Sequence, residues 1–236
     1  GGTRDELDYS TQGALTVDLA TGLVSDTGGS SMKVANFEIA RGGATGDKLV
    51  GNASANELYG GLGADTLIGG KGGDLLAGGG VNVSDGIDVV DYSTTVGNGE
   101  ALAVTLVSVG SATVVGCPIG AGSDTLQGIE KIIGGLAADT FTGLVSGFVL
   151  DGGIGSDWAD YSGQIDSAMS ITVDLRNPDN TDVQLDSVSQ QTLSGIENYK
   201  LGAGSDYIYA HIAPGAALNN RIEAGAQGVT GAKGDT

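Results

Sequence analysis

Side chains that could bind a cation recur every nine residues between residues 42 and 77. The sixth place of each nine-residue unit holds an Asp or an Asn, and the eighth place always holds a Leu. Ca²⁺ prefers carboxylate and carbonyl oxygens and takes roughly six to eight of them. The spacing therefore predicts a row of oxygen-liganded sites. The four units are GGATGDKLV (42–50), GNASANELY (51–59), GGLGADTLI (60–68) and GGKGGDLLA (69–77), with Asp47, Asn56, Asp65 and Asp74 in the sixth place.

The same frame returns in the second half of the chain. Phe148 replaces the Asp in one of these units, so we expect its turn to bind an ion weakly or not at all. Asp88 joins the earlier series after an insertion of five residues. Cation sites should therefore cluster in 42–77, with one more in 134–157. The later units are GGLAADTFT (134–142), GLVSGFVLD (143–151), GGIGSDWAD (152–160) and LGAGSDYIY (201–209), with Asp139, Phe148, Asp157 and Asp206 in the sixth place.

Each unit has the length of one short strand and one turn. In a three-residue strand such as 66–68, the middle side chain, Leu67, points inward while its neighbours point outward. The other six residues make a turn, in which glycine permits positive φ and close backbone approach. Two units complete one coil of a flattened spiral, so turns on the same edge recur every eighteen residues. The predicted stacked pairs are Asp47 with Asp65, Asn56 with Asp74, and Asp139 with Asp157.

Stacked carboxylates repel each other unless a cation lies between them. Turn carbonyls can complete an all-oxygen shell, which favours Ca²⁺; Mg²⁺ retains water more strongly. Zinc and copper are disfavoured, since the units contain neither Cys nor His. The predicted ligands are Asp47, Asn56, Asp65, Asp74, Asp88, Asp139, Asp157 and Asp206, together with the turn glycines Gly42, Gly60, Gly69, Gly134 and Gly152.

Composition narrows the class of protein. Gly makes up 44 of 236 residues but Pro only 3, which excludes a collagen helix. The net charge of −19 disfavours nucleic acid and anionic membranes as partners, and it destabilises a compact state unless cations bind. A single Cys (Cys117) and a single His (His211) exclude an internal disulfide framework and a multi-His metal site. The stretch 101–122 carries no charge, but polar residues interrupt it and partly alternate with apolar ones. This pattern predicts β-sheet and not a membrane span.

A longer repeat encloses the nonapeptides. Three DYS motifs, at 8–10, 91–93 and 160–162, each precede a predicted strand. An Ile-Glu or Phe-Glu pair follows, and its Glu lies nine residues before a sixth-place Asp. These features divide the chain into three copies within one continuous body, at 1–87, 88–156 and 157–236. The glutamates are Glu38, Glu130 and Glu197, which we expect to be solvated or bonded to turns.

The DYS motifs have two possible roles. We favour a structural one, in which Tyr packs at the strand edge while Asp and Ser satisfy turn amides. The alternative is that Asp8, Asp91 and Asp160 join a metal shell.

The units GGLGADTLI and GGIGSDWAD resemble the RTX (repeat-in-toxin) family of calcium-binding nonapeptides. The long repeat is also similar to those of large secreted bacterial RTX proteins. This resemblance implies an all-β fold, a parallel β-roll or β-helix solenoid, with calcium-triggered folding outside the cell and export by type I secretion. Members of the family include cytolysins, metalloproteases, lipases, adhesins and surface-layer proteins.

The favoured function is a calcium-binding structural module of an extracellular or cell-surface bacterial protein, such as a surface layer, adhesin or filament. One alternative is the non-catalytic secretion and folding module of a larger enzyme or toxin. Another is a polysaccharide-modifying β-helix, but the four arginines are scattered, so we expect no enzyme. Both ends fall inside a repeat, so we expect neighbouring repeats of a longer chain or end-to-end self-association.

Overall fold

The computed structural model is a two-sheet β-solenoid. It describes residues 4–79, 86–94, 100–115, 122–163, 170–176, 181–210, 220–223 and 229–234. These residues form strands and turns only, and most strands pair in parallel, as the predicted all-β roll requires. In the described part of the chain, no helix is long and apolar enough to cross a membrane.

The first sheet has eleven strands and is called sheet 1. Its strands follow the order β1-β5-β7-β9-β13-β12-β11-β15-β17-β21-β23. Their bounds are β1 Glu6–Asp8, β5 Ile39–Arg41, β7 Glu57–Tyr59, β9 Leu75–Ala77, β11 Ala103–Ser108, β12 Ser111–Val115, β13 Ser123–Gln127, β15 Thr140–Thr142, β17 Trp158–Asp160, β21 Asn198–Lys200 and β23 Arg221–Glu223.

The second sheet has thirteen strands and is called sheet 2. Its order is β24-β22-β18-β19-β20-β16-β14-β10-β8-β6-β2-β3-β4. Their bounds are β2 Leu15–Asp18, β3 Leu23–Asp26, β4 Ser31–Lys33, β6 Lys48–Val50, β8 Thr66–Ile68, β10 Val89–Asp91, β14 Lys131–Ile133, β16 Phe148–Asp151, β18 Ile171–Asp174, β19 Thr181–Leu185, β20 Val188–Ser194, β22 Asp206–Ala210 and β24 Val229–Gly234.

The nine-residue period determines which strands pair and which side chains are buried. Strands β6 and β8 pair in parallel with Leu49 opposite Leu67, and β7 and β9 pair with Leu58 opposite Leu76. Each pair is eighteen residues apart. All four leucines have zero exposed surface. Burying a Leu side chain contributes roughly 1.5–3 kcal/mol, so the stacked leucines hold the two sheets together.

The glycines of the turns take backbone conformations that other residues rarely adopt. Gly63 and Gly72 have φ angles of 113° and 114° in consecutive turns. This is the role that the nonapeptide pattern predicted for them.

Three antiparallel meanders interrupt the parallel coils, and the sequence did not predict them. We expected one strand after each DYS motif, but the structure has three: β2-β3-β4, β11-β12-β13 and β18-β19-β20. The first strand of each meander pairs in parallel with a later coil. In the second and third meanders, the last strand also pairs in parallel with an earlier coil, β9 and β16 respectively.

The DYS motifs make the turn contacts that the structural role predicts. In each, the Ser amide donates a hydrogen bond to the Asp carboxylate two residues before it. The expected edge position of the tyrosine is wrong for Tyr92 and Tyr161, which lie in the core with at most 2% of their surface exposed. Their hydroxyls donate to Asp124 at 2.9 Å and to Gln191 at 2.9 Å. A buried phenol needs such an acceptor, and the meander supplies it.

The stretch 101–122 forms strands where the structure describes it, namely β11 and β12. Cys117 and His211 lie outside the described residues.

Candidate metal centres

Sixth-place residues form a row along the edge of sheet 2, linked by hydrogen bonds from one coil to the next. The Asp47 amide donates to Oδ1 of Asp65 at 2.7 Å, and the Asp65 amide donates to Oδ1 of Asp88 at 2.8 Å. The row begins where the Leu15 amide donates to Asp47, and it continues from the Asp88 amide to Glu130 at 2.9 Å. We call these residues the first row. Asp88 thus lies in the series despite its five-residue insertion.

A second row lies along the edge of sheet 1. The Asn56 amide donates to Oδ1 of Asp74, and the Asp74 amide donates to Oδ1 of Asp124, both at 2.8 Å. Asp124 is fully buried and stands fifty residues from Asp74. The nonapeptide frame gave no signal for it, because the second meander brings it to this position.

A third row follows further along sheet 1. The Leu102 amide donates to Asp139, and the Asp139 amide donates to Oδ1 of Asp157 at 2.7 Å. Asp206 lies apart from these rows, beside β18, and its Oδ1 accepts a hydrogen bond from the Ile171 amide at 2.9 Å.

Three glutamates occupy sixth-place positions that sequence reasoning missed. Glu38 accepts a hydrogen bond from the Asp5 amide at 3.0 Å, as Glu130 does from Asp88. Glu197 accepts one from the Asp157 amide at 2.9 Å. Their nine-residue distance from the next Asp was the available signal, since it makes each Glu the sixth residue of a preceding unit. Glu130 is only 8% exposed, so it is not solvated.

The first-place glycines are required because oxygens crowd their Cα atoms. A Cβ atom added to Gly60 would lie 2.6 Å from the Gly78 carbonyl oxygen and would overlap Oδ2 of Asp65. At Gly134 it would lie 2.6 Å from Oδ2 of Asp139 and overlap the Gly152 carbonyl oxygen. Both kinds of oxygen also crowd Gly42, Gly51 and Gly152, while at Gly69 the crowding comes from the Asp74 side chain alone.

Two buried carboxylate oxygens have no hydrogen-bond partner among the described residues. They are Oδ2 of Asp74 and Oδ2 of Asp157. Burial raises the pKa of Asp74 to about 7, the Asn56 amide opposes this shift, and the charge of Asp124 adds to it. Burial likewise raises the pKa of Asp157 to about 7. Burial also raises the pKa values of Asp139 and Asp206. Ionised carboxylates in these positions are costly without a positive partner.

This donor set fits a hard cation whose shell is completed by the backbone. Among the described residues, no three Asp, Glu, Cys or His side chains come together at one point. These side chains alone therefore do not form a shell, and the carbonyl oxygens beside the first-place glycines are the candidates for the other ligands. Oxygen donors from carboxylate and carbonyl groups are the ligands that Ca²⁺ takes. Which of the predicted residues bind the ion stays a prediction.

Phe148 ends the first row. Register places it next to Glu130, because Lys131 pairs with Val149. Its ring is 1% exposed and belongs to the hydrophobic core. It thus gives this position a packing role in place of an oxygen ligand.

Without metal, the chain should have more β-structure in mild acid than in mild alkali. Asp74 and Asp157 have pKa values of about 7 in the fold, above the ordinary 3.8 of an unfolded chain. A raised folded-state pKa stabilises the fold below the unfolded value, and this stabilisation is lost as pH rises through about 7. Far-UV circular dichroism in EDTA at about pH 5 and about pH 8 measures the difference.

The double variant Asp74→Asn, Asp157→Asn should lose most of this pH dependence. The exposed control Asp26→Asn should keep it. With calcium, the β-signal should instead be larger at about pH 8 than at about pH 5, since calcium binds the deprotonated carboxylates. If the metal-free β-signal instead grew as pH rose, the buried carboxylates would not be the titrating groups.

Comparison with known families identifies the repeated segment. Residues 41–76 match the profile of the RTX calcium-binding nonapeptide repeat in four copies. This range agrees within one residue with the predicted units at 42–77. A comparison with curated proteins gives no match. The repeats of this family bind Ca²⁺.

Proposed function

We propose that this chain, which carries RTX calcium-binding nonapeptide repeats at residues 41–76, is a non-catalytic, calcium-folded structural module of an extracellular bacterial protein. The observation that carries the proposal is the set of buried carboxylates stacked between coils. Each of the seven aspartates predicted as ligands is at most 4% exposed, and each accepts a hydrogen bond from the backbone of a neighbouring strand or coil. Buried carboxylates that bond to neighbouring coils in this way have a structural role.

Calcium would act as a folding ligand. Without it, the net charge of −19 and the entropy of 44 glycines oppose compaction. With it, each occupied site adds binding free energy to the folded state alone, because the coils that bring the ligands together do not exist in the unfolded chain. The same carboxylates that destabilise the metal-free fold thereby stabilise the loaded one.

An extracellular location follows from this mechanism as part of the proposal. A chain that folds only on calcium stays unfolded where calcium is scarce and can be exported in that state. It then folds where calcium is abundant. A rigid stack of this kind suits a surface layer, an adhesin or a filament.

The concentration of calcium that folds the chain tests the proposal. We expect a cooperative folding midpoint at about 10⁻⁴–10⁻³ M, the range of extracellular calcium modules. Titration followed by far-UV circular dichroism measures it, with Mg²⁺ as the control cation, which should fold the chain poorly. A midpoint below about 10⁻⁶ M would mean that the chain folds inside the cell and would contradict the proposed order of export and folding.

A further inference from the structure

The first meander differs from the other two at its outer edge. In the second meander, the last strand β13 pairs in parallel with the earlier coil strand β9. In the third, β20 pairs in parallel with β16. The equivalent strand β4 pairs only with β3 among the described strands. No described coil strand covers the second edge of β4, whereas one covers that edge in each of its two equivalents.

Register identifies the side chain that this missing strand would cover. Val17 pairs with Val24, which pairs with Met32. In the second meander, Val104 pairs with Val114, which pairs with Asp124. In the third, Val173 pairs with Val183, which pairs with Gln191. Asp124 and Gln191 are at most 1% exposed, whereas Met32 is 51% exposed.

The tyrosine contacts support this equivalence. Tyr92 and Tyr161 donate to Asp124 and Gln191. The Tyr9 hydroxyl faces the Met32 sulfur at 3.7 Å. Tyr9 is also only partly buried, while the other two lie in the core. The first long repeat therefore has the same internal contact, but no coil in the described part of the chain covers it.

The same end of sheet 1 is open as well. Strand β1 pairs only with β5 among the described strands. Asp5 precedes β1 and donates its amide to Glu38, as a sixth-place residue does. Its own carboxylate accepts no hydrogen bond from a described residue, whereas Asp65 accepts the Asp47 amide. The first end of the solenoid, formed by β1 and β4, thus presents one open edge from each sheet.

The opposite end of the solenoid ends with strands in the order that would continue both open edges. Strands β17 and β20, the equivalents of β1 and β4, stack on β15 in sheet 1 and β16 in sheet 2. The second end is formed by β23 in sheet 1 and β24 in sheet 2. A second copy can therefore continue both sheets without a shift in register or a change of side.

We propose that the first end binds the second end of another copy of this chain, with β1 pairing β23 and β4 pairing β24 in parallel. The coil register places Leu7 opposite Ile222 and Glu6 opposite Arg221. It also sets the Asn220 amide to donate to Asp5. The Glu6–Arg221 pair is of opposite charge. The Asp8–Glu223 pair is of like charge, and two cations lie nearby: Arg221, 2.7 Å from Glu223, and Arg41, which pairs with Glu6.

This contact joins two different surfaces, so it leaves one end of each kind free and propagates into an open filament. Backbone hydrogen bonds between the open edges would supply the affinity, as in other cases of strand addition. The inference rests on the proposed calcium-dependent folding, because only the folded coils present these edges.

Sedimentation velocity over a concentration series tests the assembly on the full chain. With calcium, we expect the mass to rise with concentration. Met32→Arg places a charge on the surface that the second copy covers and should weaken association at least about tenfold. The matched control Val107→Arg adds the same charge at a residue that is 63% exposed on β11, inside the sheet, and should leave association unchanged.

Cross-linking tests the register independently. Single variants Glu6→Cys and Arg221→Cys, both with Cys117→Ser, should form a mixed disulfide in calcium, since neighbouring strands lie about 4.8 Å apart, within disulfide reach. Glu6→Cys mixed with Val107→Cys should not. A chain that stays monomeric, equal association of the two arginine variants, or no preference for the matched cysteines would each overturn the inference. Circular dichroism on the same samples separates this failure from a failure to fold with calcium.

Discussion

Removal of calcium at mildly alkaline pH is expected to abolish most of the far-UV β-sheet signal, and its return should restore it. At this pH, Asp74 and Asp157 lie above their pKa values of about 7 and carry negative charge, and each has a buried oxygen with no hydrogen-bond partner among the described residues. An unpaired buried carboxylate costs several kcal/mol. Since globular domains are stable by only about 5–15 kcal/mol, a few such groups suffice to unfold the roll.

The experiment compares the same sample before EDTA, in excess EDTA and after excess calcium. An equal concentration of Mg²⁺ added in place of calcium controls for ionic strength and general charge screening. A β spectrum that persists in excess EDTA at about pH 8 would show that the leucine stack and the meanders hold the fold without ions. Calcium would then be a surface ligand and not a folding ligand.

The nonapeptide part of the fold could be predicted because its information is local and periodic. The strand 66–68, the inward position of Leu67 and the stacking of Asp47 beside Asp65 all follow from nine-residue spacing. Each coil contacts the coil eighteen residues away. No long-range pairing needed to be guessed.

The meanders could not be predicted because their pairing is not periodic. The bond from the Asp74 amide to Asp124 joins residues fifty positions apart, and its register depends on how β11, β12 and β13 fold back on one another. Alternating residues in this region predicted sheet but gave neither the number of strands nor their direction. For the same reason, the sequence did not show that Tyr92 would reach Asp124 in the core.

The glutamates are a different case, because the signal was present and was interpreted too narrowly. The distance from Glu38 to Asp47 is one period. It predicts that Glu38 occupies the sixth place of a unit whose other residues do not follow the pattern. Glu130 and Glu197 have the same nine-residue spacing, and all three glutamates accept a hydrogen bond from the backbone amide of an earlier Asp. Spacing was thus a better guide to position than residue type.

The substitution Gly60→Ala is expected to destabilise the calcium-loaded fold by roughly 2–4 kcal/mol, the scale of overpacking plus a lost ligand contact. A methyl group at this position would lie 2.6 Å from the Gly78 carbonyl oxygen and would overlap Oδ2 of Asp65. One oxygen is fixed by the next coil and the other by the first row. Neither can move without breaking a coil-to-coil contact. Urea unfolding in saturating calcium measures the change, and the calcium midpoint should rise as well.

Gly13→Ala is the matched control. No heavy atom lies within 4 Å of a Cβ atom built at Gly13, and its φ angle is not positive. Alanine there should be neutral or slightly stabilising, because it restricts the unfolded chain without crowding the fold. Equal effects of the two substitutions would mean that glycine content matters only for chain flexibility. A large loss confined to Gly60→Ala would instead show that the first-place glycine leaves room for converging oxygens, which is the property that a calcium site between coils requires.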